Sequence, residues 1–146
     1  MSLKHQQQPT HNSCMSACVA MISNQSVTEV VEQWHDKFHS KEAWLDDAMD
    51  HYRIPYFYGH PKKAELLSGF IYFLTVPSLN IVGGQHQILA AVKEGPVVEI
   101  FDPAKGRDGA KYYVYGECKK AEERELISWT IDLAIPVVEW GDHATN

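Results

Sequence analysis

The stretch HQILAAVKEGPVVEIFDP, residues 86–103, contains two apolar runs of strand length that are separated by the turn-forming sequence KEG. Short runs of β-branched residues on either side of a glycine-containing connection are typical of a β-hairpin. His86 opens the first run, and Asp102 closes the second. The stretch therefore predicts two neighbouring strands that bring a histidine and an aspartate close together near one edge of a sheet.

Further short apolar and aromatic runs lie on both sides of this stretch, separated by glycine, proline and asparagine. They read PYFYG and GFIYFLTV before it, and KYYVY and TIDLAIPVV after it. Each run has the length and composition of a strand. A mixed-charge segment near the end, KKAEERELIS, predicts a short helix with a solvated face.

The first third of the chain shows a helical pattern instead. One helix is predicted from about residue 13 to residue 23, and a capping box of Ser26 and Glu29 begins a second. A third helix is predicted over residues 40–52, before Pro55. Helices followed by an antiparallel sheet indicate the α+β class, with N-terminal helices packed on the sheet. Because 146 residues suffice for one sizeable core, we expect a single domain over residues 1–146.

Charge and composition exclude several classes of function. The net charge of −6 disfavours nucleic acid as a partner. The longest apolar runs, FIYFL and LAIPVV, are too short to cross a membrane, and the N-terminal MSLKHQQQPTHNS lacks the apolar core of a secretory signal. We therefore expect the three cysteines to be reduced thiols in a cytoplasmic protein. No residue pattern indicates an oligomeric state, a cofactor or a metal.

Two of the cysteines, Cys14 and Cys18, lie four residues apart in the first predicted helix. Cys14 falls at the helix start, where unpaired N–H groups and the positive end of the helix dipole favour a thiolate. Cys18 lies one turn further in and is expected to pack in the core. Packing is an alternative for both cysteines. The spacing is unusual for zinc, and a disulfide within one helix is geometrically poor.

A thiolate nucleophile needs a base and donors for the oxyanion that forms on a substrate carbonyl. His86 differs from the other seven histidines because it opens a core strand, and Asp102 can orient its ring. Gln8, six residues before Cys14, can fold back and donate to the oxyanion. The alternatives are a structural histidine, a turn aspartate and a glutamine in a polar arm.

These residues resemble a known family, the bacteriocin-processing cysteine peptidases and their wider papain-like relatives. The resemblance is carried by Gln8, Cys14, SACVAMI, the histidine-led HQILAAV and FDPAKG. It implies a papain-like fold in which Cys14 is the nucleophile, His86 the base, Asp102 the residue that orients the histidine, and Gln8 the oxyanion donor. It also implies a thiol protease that cleaves a peptide or isopeptide bond in a peptide or protein substrate. The double-glycine leaders of exporter-fused members are not implied as its substrate.

One residue departs from the family pattern, because Met15 follows the cysteine where the family usually has glycine. This departure favours an alternative function, a catalytically inactive papain-like module that binds a peptide or protein. A second alternative is acyl transfer to an amine by the same triad. Cys118 is expected to have no role, and either Trp129 or Trp140 can line a substrate groove.

Overall fold

A computed structural model describes residues 3–92 and 97–145. Three helices come first in the chain: α1 spans Cys14–Ser23, α2 Val27–Ser40 and α3 Leu45–Tyr52. The first two predicted helices are confirmed. At the start of α2 the Glu29 N–H donates to the Ser26 hydroxyl at 3.2 Å, as the predicted cap requires.

The predicted start of the third helix at residue 40 is wrong. The second helix continues through residue 40 and ends where Lys41 takes a left-handed conformation, with φ of 64°. Such a conformation is uncommon for a lysine, and nothing in the sequence marks it. The third helix therefore begins only at Leu45.

Within the described residues, seven strands follow the three helices. They are β1 Phe57–Tyr58, β2 Phe70–Pro77, β3 Gln85–Val92, β4 Glu99–Phe101, β5 Tyr112–Val114, β6 Glu123–Glu125 and β7 Thr130–Pro136. Five of them form one antiparallel sheet in the order β1-β7-β2-β3-β4. Helices that precede an antiparallel sheet confirm the α+β class. The predicted KEG connection between β3 and β4 lies outside the described residues.

The C-terminal part of the chain differs from the prediction in two places. The segment KKAEERELIS does not form a helix, because its residues Glu123–Glu125 pair in parallel with β5 in a separate two-stranded sheet. The Glu123 carboxylate instead accepts the N–H groups of Lys119 and Lys120, which closes a turn. The last strand ends at Pro136, and a fourth helix, α4 Val137–Thr145, replaces the end of the predicted strand.

The five-stranded sheet buries apolar side chains on both faces. On one face, side chains of α1 such as Val19 and Ile22 pack with Phe73 and Leu89 of the sheet. The opposite face is covered by the smaller sheet and the loops, where Tyr113 and Leu126 join a second apolar cluster. This packing places α1 against β3. No helix of the described residues is long and apolar enough to span a membrane.

The first prediction concerns the stability of the core that lies between the sheet and the helices. Phe73→Ala is expected to lower the free energy of unfolding by about 3–5 kcal/mol, because Phe73 is fully buried at the centre of the sheet. Chemical denaturation measures this loss. The matched control is Phe57→Ala, since Phe57 is 60% exposed and its truncation leaves no cavity. Equal losses in the two variants would contradict this description of the core.

Candidate active site

Cys14 is the first residue of α1, and no side chain caps this end of the helix. The preceding residue, Ser13, does not cap the helix with its side chain. Its hydroxyl instead exchanges hydrogen bonds with Thr10, at 3.0 Å from the Thr10 N–H and 3.1 Å to the Thr10 carbonyl. The first turn also contains no acidic residue. The positive end of the helix is therefore available to an anion at Cys14.

His86 lies at the second position of β3, and its ring is bonded to Asp102, which directly follows β4. The Nε2 atom of His86 is 2.6 Å from Oδ1 of Asp102. Both residues are buried, with exposed fractions of 9% for His86 and 1% for Asp102. The predicted proximity of these two residues is confirmed, because β3 and β4 pair antiparallel with His86 and Asp102 at the same end.

The carboxylate of Asp102 is held from several directions. Oδ1 also accepts the N–H of Ala104 at 2.9 Å, and Oδ2 accepts the N–H of Tyr113 at 2.8 Å. The backbone carbonyl of Asp102 is 2.8 Å from Nε2 of His5 in the N-terminal arm. With both carboxylate oxygens engaged, the side chain has little freedom to move away from His86. It therefore fixes the orientation of the imidazole ring.

Cys14 and His86 lie beside each other, because both line one small cavity and His86 lowers the pKa of the Cys14 thiol. Because Nε2 is bonded to Asp102, Nδ1 is the ring nitrogen that remains for the thiol. The arrangement is thus an ordered chain from the sulfur through the imidazole to a buried carboxylate. This is the order that a Cys-His-Asp triad requires.

The electrostatics of this pair favour a thiolate and an imidazolium. Burial raises the pKa of the Cys14 thiol, but the hydrogen bond and charge of His86 and the N–H groups of Gln87 and Met15 outweigh burial. The net pKa of Cys14 is below its ordinary value. Burial lowers the pKa of His86, yet its hydrogen bonds to Asp102 and Cys14 raise it to about 10. Each group therefore stabilises the charged form of the other.

The other two cysteines have different surroundings. Cys18 is fully buried, and its Sγ lies 3.4 Å from the Gln87 carbonyl, in donor geometry. Burial raises the pKa of the Cys18 thiol well above its ordinary value, as do the negative charges around it, so it stays protonated. Cys118 is exposed, away from the described triad. The structure thus separates Cys14 from Cys18 in the way that the helix-start argument predicts.

Gln8 is buried beside the same site. Its backbone N–H donates to the Pro103 carbonyl at 2.9 Å, and its side-chain Nε2 donates to the Thr10 carbonyl at 2.7 Å. One of the two N–H bonds of the amide is therefore used, and the other is left for a ligand. Its Oε1 atom is buried and has no hydrogen-bond partner among the described residues. Gln8 and His86 line the same cavity.

One small cavity is lined by both Cys14 and His86, and two larger cavities share lining residues with it. The small cavity has a volume of about 110 Å³ and is lined by Cys14, Met15, Thr75 and His86 among others. It shares Thr75 with a larger cavity of about 490 Å³, which Trp129 also lines, and it shares His86 with the cavity of about 280 Å³ that contains Gln8. The two larger cavities are therefore neighbours of the cavity at the thiol. Trp140, in contrast, is buried in the core, where its Nε1 donates to the Ile22 carbonyl at 2.7 Å.

Several contributors to this site escape sequence analysis. The backbone N–H groups of Gln87 and Met15 stabilise the Cys14 thiolate, and that of Tyr113 holds Asp102. A backbone N–H is present in almost every residue, so only the fold identifies those that matter. For Gln87, the only indication in the sequence is that it directly follows His86. Within residues 3–92 and 97–145, no group of three or more histidine, cysteine or acidic side chains is arranged to hold a metal ion.

Comparisons with protein-family models, with curated proteins and with solved structures found no match for this chain. The assignment of a function therefore depends on the geometry of the site itself.

The second prediction concerns how the reactivity of Cys14 depends on pH. The alkylation rate of Cys14 by iodoacetamide is expected to rise with pH and to level off below the ordinary pKa of a cysteine, because His86 stabilises the thiolate. In His86→Ala this rise should move to higher pH, since burial then dominates. Mass spectrometry of the Cys14 peptide over a pH series measures both curves. Coincident curves would show that His86 does not stabilise the thiolate.

Proposed function

We propose that this chain is a cysteine peptidase of papain-like type, which hydrolyses a peptide or isopeptide bond through an acyl-thioester on Cys14. The observation that carries the proposal is the Cys14 thiol beside His86, whose ring is hydrogen-bonded to the buried Asp102. It is supported by the position of the thiol at a helix start that Ser13 does not cap with its side chain. A free thiol kept reactive in this way suits a reducing compartment, so a cytoplasmic location belongs to the same proposal.

The proposed reaction begins with the Cys14 thiolate, which attacks the carbonyl carbon of the scissile amide. The carbonyl oxygen becomes an oxyanion, for which the Cys14 backbone N–H and the second N–H of the Gln8 amide are the candidate donors. The His86 imidazolium then gives its Nδ1 proton to the leaving amine as the carbon–nitrogen bond breaks. This step leaves an acyl-thioester on Cys14 and a neutral imidazole.

The second half of the reaction restores the site. Neutral His86 takes a proton from a water molecule, whose oxygen attacks the thioester carbonyl. The carbon–sulfur bond breaks, the carboxylic acid product leaves, and the thiolate and imidazolium form again. Asp102 takes no proton in either half of the reaction and stabilises the imidazolium through its hydrogen bond to His86.

A peptide is the proposed substrate because two further cavities neighbour the one at the thiol. The cavity that contains Gln8 adjoins His86, and the cavity lined by Trp129 adjoins Thr75. An extended peptide chain can occupy more than one of these cavities at once, whereas a compact small molecule would fill only one.

Two alternatives use the same site. Transfer of the acyl group to an amine requires no further protein group, since an amine would replace water in the second half of the reaction. An inactive binding module is favoured by Met15, whose side chain lines the small cavity beside Cys14. That side chain also packs against the main core. Because Met15 packs against the core as well as lining the cavity, we favour the hydrolase.

The test is an unbiased cleavage assay with a peptide library prepared from a digested proteome. New N-termini are mapped by mass spectrometry after incubation with the wild type, with Cys14→Ser and with the matched control Cys118→Ser. We expect a recurrent cleavage motif with the wild type and with Cys118→Ser, and none with Cys14→Ser. Reactions in ¹⁸O-water with added glycine methyl ester separate hydrolysis from transfer. Peptides retained without cleavage would support the binding module and contradict the proposal.

A further inference from the structure

A β-bulge in β7 lies under the candidate site. Between β2 and β7 the register shifts after one residue pair, because Phe73 faces Leu133 whereas the next residue, Leu74, faces Ile131. Asp132 is therefore the extra residue on the β7 side. Bulges commonly redirect a side chain and occur often beside active sites. This one puts a carboxylate among the residues next to Cys14.

The Asp132 carboxylate connects three neighbouring strands. Its Oδ2 atom accepts the Thr75 hydroxyl of β2 at 2.6 Å and Nε2 of Gln87 in β3 at 3.0 Å. The same Nε2 also donates to the Leu74 carbonyl at 2.8 Å. No basic side chain among the described residues forms an ion pair with Asp132. The carboxylate is thus held by two neutral donors, and it fixes the Gln87 side chain in return.

Gln87 is also the residue of β3 that contacts both helix cysteines. Its backbone N–H stabilises the Cys14 thiolate, and its backbone carbonyl accepts the Cys18 thiol at 3.4 Å. Its side chain is buried, with 3% exposed. Gln87 and Thr75 both line the small cavity at Cys14. The backbone of Gln87 therefore sets the distance between β3 and the start of α1, and its side chain is anchored by Asp132.

We propose that Asp132 is a positioning residue for the nucleophile, which acts through Gln87 to hold a backbone N–H against the Cys14 sulfur. The inference rests on the proposed role of Cys14 as a thiolate. Asp132 has no part in the chemical steps. It keeps the Gln87 segment from shifting when the sulfur changes between thiolate and thioester, and it does so from the face of the sheet on which α1 packs.

The test measures the titration of the Cys14 thiol, which needs no substrate. The pH dependence of alkylation is followed at Cys14 by mass spectrometry in Asp132→Ala, Asp132→Asn and Gln87→Met. Asp132→Ala is expected to shift the curve to higher pH and to slow alkylation at neutral pH by about three- to tenfold, since a hydrogen bond to the thiolate weakens. Asp132→Asn keeps an oxygen that accepts from Gln87, so it should remain within about twofold of the wild type.

Gln87→Met removes the hydrogen bond between Gln87 and Asp132 from the other partner, together with the one to the Leu74 carbonyl, and it is expected to reproduce the shift. The double variant should be no worse than either single one, because both act through one contact. If Asp132→Ala does not fold, Gln87→Met and the Asn variant still give the comparison. An unchanged Cys14 curve in Asp132→Ala and Gln87→Met, with only a lower melting temperature, would overturn the positioning role. A wild-type Cys14 no more reactive than Cys118 would instead overturn the proposed function.

Discussion

His86→Ala is expected to reduce kcat/KM for a cleaved library peptide by about 10³-fold or more, the scale associated with loss of a triad base. The variant loses the partner that keeps the Cys14 thiol ionised and the acid that protonates the leaving amine. The effect should fall mainly on kcat, because the cavities proposed to bind the peptide are lined mostly by other residues. Steady-state kinetics on one peptide from the library measure both parameters.

The matched control is His39→Ala, because His39 is an exposed histidine of α2 outside the site. It should keep the wild-type rate within about twofold, since a surface substitution changes little. A His86→Ala variant that cleaves at a rate near that of the control would contradict the assignment of His86 as the base. Melting curves of the two variants establish that each is folded before the rates are compared.

Asp102→Ala is expected to combine a large loss of stability with a large loss of activity. The buried carboxylate accepts hydrogen bonds from His86, Ala104 and Tyr113, and its removal leaves two backbone N–H groups without their acceptor. The cost is about 3–5 kcal/mol in the free energy of unfolding, on the scale of breaking a buried hydrogen-bonded ion pair. Chemical denaturation measures it, with Asp108→Ala as the control, because Asp108 is an exposed aspartate of the following loop.

Asp102→Asn separates the charge of this residue from its size. The pKa of His86 is raised to about 10, in part by the Asp102 carboxylate. Activity should therefore be lost on the alkaline side as the imidazolium loses its proton, and on the acid side as the Cys14 thiolate gains one. Without the negative charge the alkaline limb of the kcat/KM profile is expected to move to lower pH. An alkaline limb at the same pH in both proteins would contradict the role given to Asp102.

The parts of the fold that follow from local patterns were predictable. The helix that begins at Cys14 follows from its apolar spacing, and the approach of His86 to Asp102 follows from two consecutive apolar runs joined by a short connection. In both cases the information lies within one short stretch of the chain. The position of Cys14 at a helix start and the proximity of His86 to Asp102 were therefore predictable.

Features that depend on contacts between distant segments were not predictable. The bulge at Asp132 arises from the pairing of β7 with β2, and no residue of β7 alone marks it. The strand at Glu123–Glu125 forms only because β5 lies beside it, against a charge pattern that favours a helix. The N–H groups of Gln87 and Tyr113 reach their partners through the same long-range packing.

Site-resolved alkylation measures whether His86 keeps Cys14 as a thiolate, the property on which the proposed function depends. The protein is treated at neutral pH with a sub-stoichiometric amount of iodoacetamide, and the adducts at Cys14, Cys18 and Cys118 are quantified by mass spectrometry. We expect label on Cys14 in the wild type, little on the buried Cys18, and loss of the Cys14 preference in His86→Ala. Equal, slow labelling of the three cysteines, or a preference for the exposed Cys118, would contradict the proposed function.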